Sequence, residues 1–558
     1  MLERGGQSDT LWRADNIFFT SFTAFSSTMV LLCLGFEVHQ PRRINRRFRL
    51  SDAHLMDISQ AESSYFDSKL DREIFERVYN KCYLPTTNII KEAIETTKES
   101  ERPFKVCYSF SGLFLEQLLE SHPELIDTIR SMVKTGNVEL LCQTHYHSLA
   151  SIYYDDMSEF REQAKKHRKA VKQTFGYEPR VFENTEFIYN NLLAKEVYNM
   201  GFSGIITEGS EALLGGRSPH FVYRSNVAKE LRILPRDYKL SDDVGFRFSS
   251  ASWDGYPLTA EKYLNWIASI ADPYVLVFVD YETFGEHVWP EAGIHEFLRK
   301  VPEEAQRHQN VIPKTASEVI GNIPPVADVD VYEHGKTISW ADERRDLSAW
   351  LGNEMQKSAF DMVKSLSNPA RKLGGKFLRV WRLLQTSDNY HYMYTGEGGP
   401  AEVHSYFSGP VGSPLEIYIA FGNVISNFQG LMSDEIVKTS NLARAILEGW
   451  SREKAFSFFM DVDKPLHLTA SGYLEFYDIV KRVSEVSIEF HIYNGDLEKW
   501  FEHVFGDEFL SHNIRKLRSK RFRGKRLKKA LTVLVKKRID QIRSIVEPDV
   551  DSRRATIR

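Results

Sequence analysis

Two segments place an acid where an apolar run ends. Tyr274-Val-Leu-Val-Phe-Val-Asp280 is hydrophobic up to its carboxylate, and Arg180-Val-Phe-Glu-Asn-Thr-Glu186 closes on another. A strand buried on both faces reads as such a run, and a strand-helix barrel offers chemistry from the C-terminal ends of its strands. Two acids delivered this way suit work across one bond, the arrangement that opens glycosidic linkages. Burial behind Val275 to Val279 disfavours the charged form of Asp280 and moves it toward the range of a general acid. Glu186 has Asn184 and Thr185 as hydrogen-bonding neighbours among Phe182, Phe187 and Tyr189, and a carboxylate kept ionised by donors fits the nucleophile. The plainer alternatives are that Asp280 caps a following helix and that Glu186 lies on a surface loop. Glu183 competes with Glu186, and strand alternation puts the two on opposite faces, so one alone faces the barrel mouth.

Other polar residues gather beside these ends. Glu282 is two positions after Asp280 and shares its side if the strand continues, Gly285 permits a sharp turn, and Trp289 is placed to border a cleft. His39-Gln40-Pro41 follows the first apolar run, where a histidine can bond sugar hydroxyls or serve the core. His145-Tyr-His147 has the i, i+2 spacing that puts both imidazoles on one face if extended, a weak metal-pair pattern.

The elements that must position these groups alternate. Strand-like runs at 30–38, 104–109, 138–141, 180–183, 204–206 and 274–279 are separated by helical spacing at 71–97, 113–135, 157–175 and 192–200. That order means parallel strands covered by helices, as a barrel or an open doubly wound sheet. No Gly-rich phosphate loop follows a strand, which argues against nucleotide binding, and polar residues ending several strands favour the barrel. After Pro313 the strand signal fades and residues 340–450 read as helical.

With 558 residues, the chain has room for one large core and appendages. Cys33, Cys82, Cys107 and Cys142 form no CxxC and sit mostly in apolar runs, so they read as reduced core thiols of a cytoplasmic protein. Net charge is −4, yet residues 515–543 hold fourteen Lys/Arg against the single acid Asp540. With Leu527, Leu531, Leu534 and Ile542 at helical spacing, that stretch reads as a solvated amphipathic helix. No charge appears between Asn16 and Phe36, but the second half suits a first strand and no cleavage site is evident, so no stable membrane anchor is expected.

His39-Gln-Pro41, Gly136-Asn-Val-Glu-Leu140 leading to Tyr146-His-Ser148, Phe182-Glu-Asn-Thr-Glu186, Asp280-Tyr-Glu-Thr-Phe-Gly285 and Trp340-Ala-Asp342, in this order, resemble the five sequence regions of glycoside hydrolase family 57, nearest its α-amylase-like branch. The resemblance covers about residues 30 to 430. It implies an incomplete TIM-like (β/α)7 barrel followed by a helical domain, acting on α-1,4-glucans with retention. Glu186 matches the family's nucleophile and Asp280 its acid/base. His39, Gln40, His145, His147, Glu282, Trp289, Trp340 and Asp342 become candidate substrate contacts, with no metal and no cofactor. Two departures bear on specificity: no aromatic residue stands in Glu183-Asn-Thr-Glu186 before the nucleophile, and Cys142-Gln-Thr-His145 stands where relatives tend to carry Glu and Tyr.

The expected organisation is a poorly ordered extension at 1–28, a catalytic barrel at 29–325, a helical domain completing the site at 326–448, and a small C-terminal domain with the basic helix at 449–558. The expected partner is an α-glucan or maltooligosaccharide, with no nucleic acid, and self-association is left open. A 4-α-glucanotransferase or branching enzyme on the same site is the nearest alternative. A metal-dependent polysaccharide deacetylase using His145 and His147, or a noncatalytic glucan-binding protein, is further off.

Overall fold

The computed structural model describes residues 29–53, 56–341, 343–396, 412–449 and 452–546, so the expected N-terminal extension lies outside the described residues. In chain order the first ten strands are β1 (Val30–Val38), β2 (Val106–Phe110), β3 (Val138–Leu140), β4 (Val181–Glu183), β5 (Gly204–Glu208), β6 (Tyr223–Ser225), β7 (Arg232–Arg236), β8 (Tyr274–Asp280), β9 (Val311–Pro313) and β10 (Asp328–Val329). β1 pairs in parallel with β2 and β8, β2 with β3, β4 with β5, and β5 with β7. Between β3 and β4 a parallel bridge at Cys142 and Phe182 makes the join. Between β7 and β8 the link is Asp237 N–H to the Leu276 carbonyl at 2.8 Å and Arg236 Nε to the Phe278 carbonyl at 2.7 Å. Seven parallel strands thus close a ring with two thin seams, an incomplete (β/α)7 barrel.

Period-two alternation sorts the side chains of this ring. Leu31, Cys33, Cys107, Leu141, Val181, Ile206, Leu234, Tyr274, Leu276 and Phe278 fill the interior as one cluster. Their neighbours Leu32, Leu34, Phe36, Val106, Tyr108, Val275, Val277 and Val279 face the covering helices. At Gly35 a Cβ would lie 2.2 Å from the Phe278 ring, so the glycine makes room for that ring inside the barrel. Continuing the same parity to the strand ends puts Glu37, Ser109, Glu183, Glu208, Arg236 and Asp280 on the inward side of one barrel mouth.

The sequence reading finds six of the seven ring strands and misses β7, whose five residues, Arg232-Ile-Leu-Pro-Arg236, have a charge at each end and an internal proline. The helix expected over 71–97 is divided by a π turn at Tyr79–Tyr83, with Pro85 opening the next helix, Leu84–Thr97. Pro123 likewise splits 113–135 into Gly112–Ser121 and Pro123–Val133. All four cysteines are buried free thiols.

Helices Glu354–Ser365, Ser367–Leu373, Gly375–Leu383 and Ser387–His391 follow the barrel. Arg379 bonds Glu62 and Glu116, and Arg382 and Arg371 both bond Glu159 and Glu162, which fixes these helices over the barrel mouth. The chain divides into compact units at Ser426/Asn427. The second unit has a hairpin of β11 (Phe456–Phe459) and β12 (Pro465–Ala470) and a core that includes Tyr473, Phe476, Phe501, Leu527 and Leu531. The basic helix Gly524–Val546 buries Leu527, Leu531, Val535, Ile539 and Ile542, so three of the four expected positions are buried and Leu534 is half-buried. Among the described residues no helix is long and apolar enough to cross a membrane.

Candidate active site

The mouth of the ring is a hydrogen-bonded set of acids. Glu37 stands in register with Ser109 on β2 and with Asp280 on β8. Gln143 donates to Glu37 at 2.7 Å and to Ser109 Oγ at 2.9 Å, and Ser109 donates to Glu183 at 2.7 Å. Four neighbouring strand ends are tied by these three bonds.

Glu186 joins them through a turn. β4 stops at Glu183, and Thr185–Phe187 form a single 3-10 turn in which Glu186 takes φ +61° and ψ +20°. That left-handed conformation is uncommon for a residue with a Cβ and costs about 1–3 kcal/mol, a strain that clusters at functional sites. Asn184 Nδ2 holds the turn by donating to the Ile188 carbonyl at 3.0 Å and Ser151 Oγ at 3.1 Å. The expected opposition of Glu183 and Glu186 is therefore corrected. Alternation ends with the strand, and the turn returns Glu186 to the side of Glu183, whose carboxyl it repels.

Glu186 accepts from Trp340 Nε1 at 2.8 Å and sits 3.5 Å from His147 Nε2, with 16% of its side chain exposed, so it is held yet reachable. Burial opposes its charge, but these two partners outweigh burial and lower its pKa. Asp280 is half-buried, and its carboxylate accepts no hydrogen bond among the described residues. Burial first and the Glu186 charge second push it up to about 7, against the pull of Arg236 and His147. The two acids thus sit in one mouth with pKa values driven apart, the pattern that assigns acid and base roles.

His147 is the cation between them. Its Nδ1 is 2.9 Å from Gln143 Oε1 and 3.6 Å from Glu37. Burial works against its charge, yet the bond to Glu186 and the charges of Glu37 and Asp388 raise it to about 9. Its ring stacks on His39 at 4.0 Å. Burial and the His147 charge lower His39 to about 4, so this imidazole is neutral, with Nε2 donating to Asp388 at 3.0 Å and Nδ1 accepting from Ser111 at 2.7 Å. Both nitrogens of His39 are thereby occupied by protein.

The other sequence candidates separate. Gln40 is buried, donating to Tyr83 Oη at 3.0 Å and accepting from Arg43 at 3.2 Å. Glu282 accepts from Tyr83 at 2.5 Å, and burial first and the Asp280 charge second push its pKa up against that bond. His145 does not share a face with His147, because the chain turns between them; it is buried over Gly112 and bonds Glu116 at 3.2 Å. Trp289 is 55% exposed, with Lys81 above its ring. Trp340 lies on Glu186 and stacks on Phe187 at 4.7 Å. Asp342 lies outside the described residues. Among the described residues no three His, Cys, Asp or Glu side chains converge as a metal site.

Sequence reasoning missed Glu37, Gln143, Arg236 and Asp388. Glu37 had a signal, being the one charge in the buried strand Val30–Val38. Asp388 had none, since its helix reaches His39 from 349 positions away.

The model of the family described as Glycosyl hydrolase family 57 matches residues 33–331. A protein of Methanocaldococcus jannaschii named "Putative alpha-amylase" is 42% identical over 419 residues, covering 74% of this chain and 86% of that one. The "Alpha-amylase" of Pyrococcus furiosus is 29% identical over 234 residues, 40% of this chain and 32% of that longer one. The crystal structure of a branching enzyme from Thermococcus kodakaraensis shares the fold at TM-score 0.51 and 12% identity, over 75% of this chain and 91% of that chain. The matched segment runs from within β1 through the other six ring strands and includes both the Glu186 turn and the Asp280 strand end, and the chain belongs to glycosyl hydrolase family 57.

Proposed function

We propose that this glycoside hydrolase cleaves α-1,4-glucosidic bonds in α-glucans with retention, Glu186 being the nucleophile and Asp280 the general acid/base. The observation that carries the reading is the opposite protonation of two carboxyls at one barrel mouth: Glu186 held ionised by Trp340 and His147, Asp280 raised to about 7. Asp280 protonates the glycosidic oxygen as it leaves, while a Glu186 oxygen bonds to the anomeric carbon. Asp280, now ionised, takes a proton from water, whose oxygen displaces Glu186 and releases the sugar. A glucan hydroxyl in place of that water gives transfer, the route of a glucanotransferase or branching enzyme. The names of the relatives support the α-glucan substrate class. His147 and Trp340 serve the nucleophile, His39 and Gln40 hold the site's frame, and Trp289 is left to meet substrate. Asp388 supports the reading that the helical region at 326–448 completes the site after the barrel at 29–325. Buried free thiols support a cytoplasmic setting.

Reducing-end release and chain-length analysis on maltooligosaccharides test this. Glu186→Gln is expected to abolish bond cleavage, and Asp280→Asn to cost on the order of 10²–10⁴-fold and erase the alkaline limb. Products longer than the substrate mean transfer; full activity in Glu186→Gln refutes the assignment.

A further inference from the structure

Residues 339–341 and 343–346 lie across the nucleophile as a strap, and none of them is in a strand or a helix. It meets Glu186 twice: the Trp340 backbone N–H donates to the Glu186 carbonyl at 3.1 Å, and its indole Nε1 donates to the carboxylate at 2.8 Å. Something must fix this strap if the indole N–H is to stay aimed at the carboxylate.

We propose that Arg345 is a positioning residue for the nucleophile, clamping the strap so that Trp340 bears on Glu186. The role rests on the assignment of Glu186 made above. Arg345 takes a left-handed φ of +51°, which turns the chain back so that its carbonyl accepts from Ser339 N–H at 3.0 Å and closes the strap at its base. From inside the loop, Nη1 reaches the Trp340 carbonyl at 3.3 Å. The same guanidinium forks onto two carboxylates of the barrel, Glu208 at 2.7 Å and Asp242 at 3.0 Å, and lies 4.1 Å above the Tyr238 ring.

What Arg345 grips is already rigid. Arg236, at the end of β7, bonds the same two carboxylates at 2.8 and 2.9 Å and donates its Nε to the carbonyl of Phe278, two residues before Asp280. Two guanidiniums and two carboxylates therefore form one charge-balanced knot. One cation holds the strap that serves the nucleophile, and the other holds the strand that carries the acid. Glu208 is fully buried and Arg345 only 15% exposed, so these are forked bonds shielded from water. The fork is what the geometry requires: a lysine ammonium is a point charge and does not span two carboxylates in one plane.

The test is a double-mutant cycle on kcat/KM for maltooligosaccharide consumption, with Arg345→Gln, Trp340→Phe and the double variant. Arg345→Gln is expected to lower kcat/KM by about 10²-fold, the cost of a small misplacement, and to move the acidic limb of the pH profile upward as Trp340→Phe does. Because both act through one bond on Glu186, the double variant is expected to fall within about 3-fold of the weaker single variant. Additive losses, or a loss with an unmoved acidic limb, overturn the proposal. Arg345→Lys, which keeps the charge and loses the fork, gives the same readout if Arg345→Gln fails to melt cooperatively, and full activity in it also overturns the proposal. Glu186→Gln runs alongside. If it is active, the nucleophile assignment falls and the strap's role with it; if it is inert while the cycle is additive, the role of Arg345 alone falls.

Discussion

Replacing Trp340 by phenylalanine isolates a single proton in this site. The phenyl ring keeps the stack on Phe187, which runs at 4.7 Å and 12°, and removes the N–H that lies 2.8 Å from Glu186. A hydrogen bond to a charged group contributes about 1.5–3 kcal/mol, and about 1.4 kcal/mol corresponds to one pKa unit. With Glu186 largely shielded from water, the substitution should raise its pKa by roughly 1–2 units. The sign follows from the charge form: the indole N–H favours the carboxylate, so its loss favours the acid, and a nucleophile that must be ionised fails at a higher pH. In kcat/KM against pH the acidic limb should move up by that amount. On the proposed roles the alkaline limb follows loss of the Asp280 proton near 7 and should stay, because burial is the main cause of that value and Glu186 is already ionised there. Initial rates of maltooligosaccharide consumption from acid to mildly alkaline pH measure both limbs at once. An acidic limb that does not move, or two limbs that move together, refutes the account of which group holds which proton.

Two further outcomes test the frame. Gly35→Ala forces a Cβ to within 2.2 Å of the Phe278 ring, an overpacking that should cost about 1–3 kcal/mol in a denaturant melt and lower kcat by disturbing β8 below Asp280; an unchanged midpoint would contradict the assignment of interior positions. His147 has a folded pKa of about 9 against about 6.5 unfolded, so its stabilising contribution is complete below ~6.5 and is lost as pH rises through ~9. The melting-temperature gap between wild type and His147→Gln should accordingly narrow from weakly acidic to alkaline pH, and a constant gap would show that the imidazolium is not part of the fold's charge balance.

Much of this arrangement can be read along the chain because the ring strands are apolar on both faces. Val30–Val38 and Tyr274–Asp280 announce themselves, and an acid at such an end has nowhere to go but the mouth. Glu37 was legible on the same grounds, as the lone charge in its strand. What could not be read is whatever depends on the chain leaving the strand. The turn at Glu186 uses a left-handed residue without a glycine to mark it, so alternation misplaced Glu183. The bend between His145 and His147 likewise broke the shared face that i, i+2 spacing implies. Arg236 hid in a strand interrupted by Pro235, and Asp388 in a helix whose sequence says nothing of the histidine it meets. Parity propagates along a strand; contacts between loops depend on the closed ring.

The same distinction accounts for the chemistry. Glu37, Glu183, Glu186, Asp280, Glu282 and Asp388 are electrostatically linked around the mouth, and not all can ionise there together. The barrel alone raises them: Glu37, Glu183, Asp280 and Glu282 all stand above the usual carboxylate range, with burial the leading cause. Glu37, Glu183 and Glu282 rise although Gln143, Ser109 and Tyr83 donate to them, whereas the two that stay low are each partnered by an imidazole, Glu186 by His147 with Trp340 beside it, and Asp388 by His39 with the charges of His147 and Arg43 behind it. Asp280 is raised by burial and by the Glu186 charge, and no imidazole donates to its carboxylate among the described residues, which is what its proposed role as general acid needs. On the proposed roles, an imidazole donor placed there would lower it as His147 lowers Glu186 and leave the departing sugar oxygen without a proton.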